Sequence, residues 1–192
     1  MDRVDALKCG LPWSDGVSIT PLPESGKPAY LEALVADATE RGATIANAGG
    51  GERSGALVRP AVLYPVDLSM RVAHEEQFGP VVPVATFRNL ADVLQYVKDS
   101  PFGQQAAIFT EDAATAARFV DAVSAQVGRV NVNAQCARGP DQAPFSGRRS
   151  SALGTLSVDI ALDVFSIPTV VAGPVAQREL LEGAAKLSRF LE

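Results

Sequence analysis

Apolar positions along this chain switch repeatedly between a helical spacing and short unbroken runs. Tyr30, Leu31, Leu34, Val35 and Ala38 recur three and four residues apart. That spacing makes one face of a helix, with Ser25 as a cap, Pro28 in a first turn that tolerates proline, and Gly42 as the stop. Ala43 to Ala46 reads as a short strand leading to the turn Gly49-Gly50-Gly51. Ala56 to Tyr64 reads as a second strand that Pro60 places partly at an edge or bulge. Val81 to Phe87, Ala106 to Thr110 and Arg129 to Asn133 are further strand-like runs.

Between these runs lie two more helical stripes. One opens at Asn89 or Asp92 with Leu90, Val93, Leu94 and Val97 inward; the other opens at Asp112 with Ala116, Phe119, Val120 and Val123 inward, ending at Gly128. Residues 134 to 157 are polar and rich in glycine and proline, a length of irregular chain that is usually functional or disordered. Asp159 to Phe165 reads as a short helix and Ile167 to Ala172 as a strand. After Gly173-Pro174, Leu180, Leu181, Ala184, Leu187 and Leu191 form a last helical stripe. The alternation predicts an α/β fold: an open, largely parallel sheet flanked by helices, with right-handed crossovers, then a late strand and a terminal helix.

Composition narrows the function classes. The 192 residues suffice for a domain with its own core. A formal net charge of -5 and a basic run no longer than Arg148-Arg149 argue against nucleic acid as a partner. No stretch approaches the roughly 20 apolar residues of a membrane helix. The charged start Met1-Asp2-Arg3-Val4-Asp5 has no signal-peptide character, so a cytoplasmic location is expected. The two cysteines, Cys9 and Cys136, suggest neither a disulfide framework nor a zinc site. His74 is the single histidine, which excludes any mechanism needing two within this chain.

One stretch carries denser chemistry: His74-Glu75-Glu76-Gln77-Phe78-Gly79-Pro80-Val81. Read alone it is either a charged loop entering a sheet or a carboxylate beside an aromatic shelf at the mouth of a strand. The pattern resembles the Glu-Glu-x-Phe-Gly-Pro signature of aldehyde dehydrogenases. The resemblance implies that Glu76 holds the ribose hydroxyls next to the nicotinamide of NAD or NADP, and that Phe78 packs beside the nicotinamide ring. An ionised carboxylate suits a vicinal diol because it accepts two charge-assisted hydrogen bonds. Lys8 to Pro12, Ile19 to Leu22, Ala33 to Gly50, Arg59 to Leu63, Pro101 to Gly103 and Ala107 to Thr110 resemble family segments in the same order. The resemblance runs from Leu7 to about Ala172 in one register.

The irregular stretch holds Ala137-Arg138-Gly139-Pro140-Asp141 and Pro144-Phe145-Ser146-Gly147. The first resembles the Arg-Gly-Pro-Asp loop of the non-phosphorylating, NADP-dependent glyceraldehyde-3-phosphate dehydrogenase branch. The resemblance places Arg138 near the anionic end of a small aldehyde and Phe145 at the mouth of the aldehyde site. A guanidinium fork suits a phosphate, but Arg138 pairing with Asp141 or a nearby carboxylate to hold the loop is an equal alternative. Two departures stand out: Ser146 replaces the first glycine of Pro-Phe-Gly-Gly, and Ala152 replaces a later family glycine.

In the family a cysteine thiolate attacks the aldehyde, hydride passes to NAD(P), and a glutamate base assists thioester hydrolysis. The Gly-Gln-x-Cys context of that nucleophile does not occur here, and neither Cys9 nor Cys136 falls on it. No catalytic residue is therefore assigned in this chain. The cofactor-binding domain precedes the matching segment in the family, and no glycine-rich fingerprint occurs here. A fragment, a truncated gene product and one piece of a split enzyme all fit, each inactive alone and partnered by the missing N-terminal part. The rival reading is a non-catalytic remnant acting as an oligomerisation or regulatory partner. The resemblance divides the chain into a catalytic-domain segment (1–165), an oligomerisation strand (166–173) that implies a homo-oligomer, and a terminal helix (174–192).

Overall fold

A computed structural model describes residues 1–187. Its elements run in the order α1 (Asp2–Asp5), α2 (Lys27–Glu40), β1 (Thr44–Ile45), β2 (Arg53–Ser54), β3 (Leu57–Val58), β4 (Ala61–Tyr64) and β5 (Val81–Pro83). There follow α3 (Leu90–Asp99), β6 (Phe102–Gly103), β7 (Gln105–Ile108), α4 (Ala113–Val123), β8 (Arg129–Val132), β9 (Arg148–Arg149), α5 (Val158–Val164) and α6 (Arg178–Leu187). Short 3-10 turns at Arg71–Ala73 and Val175–Gln177 complete the list.

Helix α2 buries Pro28, Leu31, Leu34 and Ala38, the face expected from their spacing. It begins at Lys27 with Gly26 as its cap and no side-chain capping bond, so Ser25 does not play that part. Gly42 ends it at φ +101°, and the Ala43 N–H then reaches back to the Ala38 carbonyl at 2.9 Å. A side chain at Gly42 would oppose this left-handed turn. The buried face meets Ala43, Leu63, Met70, Val72 and Val81 in the larger of two cores.

The long strand expected over Ala56 to Tyr64 divides in two. β3 folds back on β2 as a hairpin around Gly55, whereas β4 pairs antiparallel with β1 and parallel with β5. The division falls at Pro60, where buried Asn47 stands in for a strand partner. Its Nδ2 donates to the Pro60 carbonyl and its Oδ1 accepts from the Val62 N–H, each at 2.8 Å. β5 is shorter than its apolar run suggests; beyond Pro83 the remaining bonds to the partner segment are those of Val84 with Leu63 and Val66.

The second core packs Phe119, Val123 and Val127 against Leu90, Leu94 and Val97 of α3 and against Ala106, Ile108 and Val130 of the strands. β7 and β8 are parallel in a four-residue register from Gln105–Arg129 to Ile108–Val132, joined through α4. Side chains cap both helices as the sequence indicates: Asn89 accepts from the Asp92 N–H, and Asp112 from Ala114 and Thr115.

Two expectations need correction. The open, largely parallel sheet is instead a mixed three-stranded sheet (β1-β4-β5), a separate parallel pair (β7-β8) and two small antiparallel pairs (β2-β3, β6-β9). The two parallel ladders belong to separate sheets among the described residues. Residues 167 to 172 form no strand: they pair with no other segment among the described residues, and a strand exists only through its partner. The terminal helix begins as the 3-10 turn and becomes regular only at Arg178; Leu191, assigned to its stripe, lies outside the described residues. No helix among the described residues is long and apolar enough to cross a membrane.

Two glycines lock the long loop to the second core. A Cβ on Gly128 would overlap the Ser146 carbonyl oxygen and lie 2.8 Å from its carbon; one on Gly103 would overlap the Gln126 carbonyl oxygen. Backbone cannot yield as a side-chain tip can, so Gly128→Ala should cost about 1–3 kcal/mol of stability, the usual penalty of overpacking. Urea unfolding at low protein concentration measures it. Gly154→Ala, where nothing lies within 4 Å of the new carbon, is the control and should leave the midpoint almost unchanged.

Candidate functional site

The segment from Glu75 to Phe78 leads into β5 with a strict alternation of burial. Glu75 and Gln77 are half-buried, and Glu76 and Phe78 are exposed. The inward pair is consumed by the protein. Arg71 grips Glu75 with two bonds, Nε to Oε1 at 2.6 Å and Nη2 to Oε2 at 3.0 Å. Tyr30 adds a third at 3.2 Å, and Gln77 Nε2 donates to the Val72 carbonyl at 2.6 Å. The Arg71 hydrogen bonds hold the Glu75 carboxyl below the usual carboxylate range, against the opposing effect of partial burial. Burial, helped by the Glu75 charge, raises the Tyr30 phenol, which keeps it a hydrogen-bond donor.

The outward pair is left open. The Glu76 carboxylate takes part in no hydrogen bond or ion pair among the described residues, while its backbone carbonyl is held by Tyr30. Phe78 is 76% exposed and sits at φ +41°, an uncommon conformation for a residue with a Cβ. A free carboxylate beside an exposed aromatic fits a diol-bearing, ring-bearing ligand such as a nicotinamide nucleoside.

Arg138 and Phe145 meet elsewhere, across a cavity of about 310 Å³ lined also by Arg129, Pro140, Ala143 and Leu156. The Arg138 guanidinium carbon stands 5.5 Å from the centre of the Phe145 ring, and the ring's residue is fixed by a backbone bridge to Leu156. Arg138 and Asp141 approach only to 3.9 Å, with their side chains 71% and 73% exposed. Such a pair contributes little, about 0–1 kcal/mol. What holds this loop is Arg129, whose Nη1 donates to the carbonyls of Ala137, at 3.1 Å, and Gly139. Neither Arg129 nor Tyr30 stood out in the sequence; their partners lie in other segments. Arg71 and Glu75, four residues apart, were within reach of a charge-spacing argument.

The chain does not bring the two pairs into one cavity. The larger cavity, about 760 Å³ at the carboxyl ends of β4 and β5, contains none of the four residues and is lined by Arg41, Met70, Phe87, Arg88 and Tyr96 among others. Its lining includes Arg88, whose guanidinium has no hydrogen bond or ion pair among the described residues, but the family resemblance points to none of its lining residues. Cys136 is exposed with Asn131 Nδ2 at 3.7 Å from its sulfur, and Cys9 is half-buried. No group of three or more metal-ligating side chains gathers among the described residues. Ala152, in place of a family glycine, takes no positive φ; Arg149, three residues earlier, does, at φ +54°. Its guanidinium is tied down by Gln126 and the carbonyls of Val97 and Ser100.

A family model described as the aldehyde dehydrogenase family matches residues 1–171. The chain belongs to that family. Among relatives of the aldehyde dehydrogenase segment, the NADP-dependent glyceraldehyde-3-phosphate dehydrogenase of Triticum aestivum is 36% identical over 164 residues, covering 85% of this chain and 32% of the wheat protein. Among solved structures, NADP-dependent glyceraldehyde-3-phosphate dehydrogenase from Bacillus halodurans, complexed with NADP, superposes with a TM-score of 0.78 at 37% identity, covering 84% of this chain and 33% of that one. Lactaldehyde dehydrogenase from Escherichia coli superposes at 0.79 with 26% identity, covering 88% and 35%. The chain thus spans about a third of the length of these relatives.

Proposed function

We propose that this aldehyde dehydrogenase segment supplies the cofactor-ribose contact and the substrate mouth of an NADP-dependent enzyme that oxidises a small anionic aldehyde, with glyceraldehyde 3-phosphate as the leading candidate. The observation that carries the reading is the loop in which Glu75 and Gln77 are bonded inward while Glu76 and Phe78 are left outward and open. When bound, the nicotinamide cofactor accepts the hydride of the aldehyde. Glu76 would hold its ribose hydroxyls as an ionised acceptor, and Phe78 would restrict where the ring can lie, so that binding energy goes into orientation. NADP rather than NAD is supported by the relatives named above.

Arg138 would take the anionic end of the substrate with its fork, over the face of Phe145. The thiolate and the general base would come from the part of the family's enzyme beyond this third, and neither Cys9 nor Cys136 is assigned those roles. The same logic makes the missing part a partner and the isolated chain inactive.

Combining this chain with the remaining two thirds of a relative, and assaying NADP reduction with glyceraldehyde 3-phosphate, tests the reading. In the assembled enzyme Glu76→Gln keeps size but removes charge, so the hydride step should slow by roughly tenfold while aldehyde KM changes little. An unchanged single-turnover hydride step would refute the role of Glu76. A verified assembly inactive with every aldehyde would favour the rival reading, a non-catalytic oligomerisation or regulatory partner. The apolar exposure around Phe165 and Ile167 gives that rival its one supporting observation.

A further inference from the structure

Helix α2 touches every part of the Glu75–Gly79 loop through one face. Lys27, Tyr30 and Leu31 stand at the three- and four-residue spacing that stacks side chains on a helix. Tyr30 Oη donates to the Glu75 carboxylate at 3.2 Å and lies 3.0 Å from the Glu76 carbonyl oxygen, so it straddles the pair of glutamates. The Lys27 ammonium donates to the Gln77 carbonyl at 3.4 Å and sits between two rings, 5.1 Å from the centre of Tyr30 and 6.0 Å from that of Phe78. Leu31, fully buried, packs against Gly79 so closely that a Cβ there would come within 2.6 Å of its Cδ1.

The loop needs such a template. Its direction is set at Phe78, whose positive φ is not favoured by local chemistry. If the loop relaxed at that residue, Phe78 would swing away and the outward direction of Glu76 would be lost. Arg71 alone does not prevent this, since it anchors Glu75 at the loop's start and makes no bond to Glu76, Gln77 or Phe78 among the described residues.

We infer that Tyr30 is a positioning residue for cofactor binding: its hydroxyl, whose one proton is shared between the Glu75 carboxylate and the Glu76 carbonyl oxygen, fixes Glu76 in its outward register, and Lys27 does the same for Phe78. Glu75 then belongs to the brace and not to the ligand site. The inference rests on the proposed role of Glu76 and names what sets its geometry.

Tyr30→Phe keeps the packed ring and deletes only the hydroxyl; Lys27→Met keeps the stem and deletes the charge. In the 192-residue chain itself, amide hydrogen exchange after Tyr30→Phe should accelerate at residues 75 to 79 and stay unchanged in the β7-β8 core. In the assembled enzyme, KM for NADP should rise about two- to tenfold, the worth of one ordinary hydrogen bond, with aldehyde KM unchanged. Lys27→Met should move the same two readouts in the same direction. Unaltered exchange at residues 75 to 79, or equal changes in both KM values alongside a general loss of stability, would overturn the inference. Glu76→Gln separates it from the reading beneath it. If Glu76→Gln impairs NADP binding or the hydride step and Tyr30→Phe does neither, Tyr30 is no positioning residue; if Glu76→Gln leaves both NADP binding and the hydride step intact, the cofactor reading falls and this inference with it.

Discussion

Arg138→Leu is expected to raise KM for a phosphorylated aldehyde about ten- to a hundredfold in the assembled enzyme, and to leave KM for acetaldehyde nearly unchanged. The size follows from losing one charged hydrogen bond, roughly 1.5–3 kcal/mol. The selectivity follows from the loop's construction. Its backbone is carried by Arg129, which bonds the carbonyls of Ala137 and Gly139 on either side of Arg138. The loop therefore keeps its place when the Arg138 side chain is removed. The competing role, pairing with Asp141, involves a 3.9 Å approach between two mostly exposed groups, too weak to organise the loop. Steady-state kinetics with the two aldehydes decides: equal effects on both would mean that Arg138 holds the loop after all.

Removing residues Ser166 to Glu192 is expected to convert an assembled dimer into monomers, with the isolated 192-residue chain self-associating while the segment is present. Residues 166–174 carry no internal ladder, and Ile167 and Val170 are 94% and 88% exposed. Phe165 beside them is similarly uncovered. Backbone N–H and C=O groups without partners, flanked by β-branched side chains, invite pairing with another chain. Pro168 has no N–H to donate, so one side of such a pairing must tolerate a missing bond. The deletion tests whether the segment that resembles the family's oligomerisation strand is such an arm. Sedimentation velocity over a wide concentration range is the measurement. A compact, concentration-independent monomer of the full chain would count against the arm, as would an unchanged dimer after the deletion.

The same segment shows where reading the sequence stops. Its β-branched run is legible as strand-forming, but a strand is a relationship between two backbones, and the chain holds only one of them. The sheet repeats this lesson. The β7-β8 pair was visible as two apolar runs separated by a helical stripe, yet whether β5 and β7 adjoin depends on what lies between them, which no local pattern encodes. The helices were read better because their determinants are local: Asn89 and Asp112 cap from within three residues of their targets. Asn47 was missed because its bonds span 13 and 15 residues to stand in at Pro60.

For the site, the resemblance of two segments put forward Glu76, Phe78, Arg138 and Phe145 in a chain whose family model matches residues 1–171. Which of two adjacent glutamates faces outward is also implied by that resemblance, but the cause is not. Only the tertiary structure brings Tyr30 across 45 residues to Glu75, sets Lys27 between two rings, and places Arg129 under the Arg138 loop. These are bonds between segments, and their geometry depends on α2 and β8 being packed on their cores. The sequence determined which groups are available for chemistry; packing decided which of them the protein spends on itself and which remain free for a ligand.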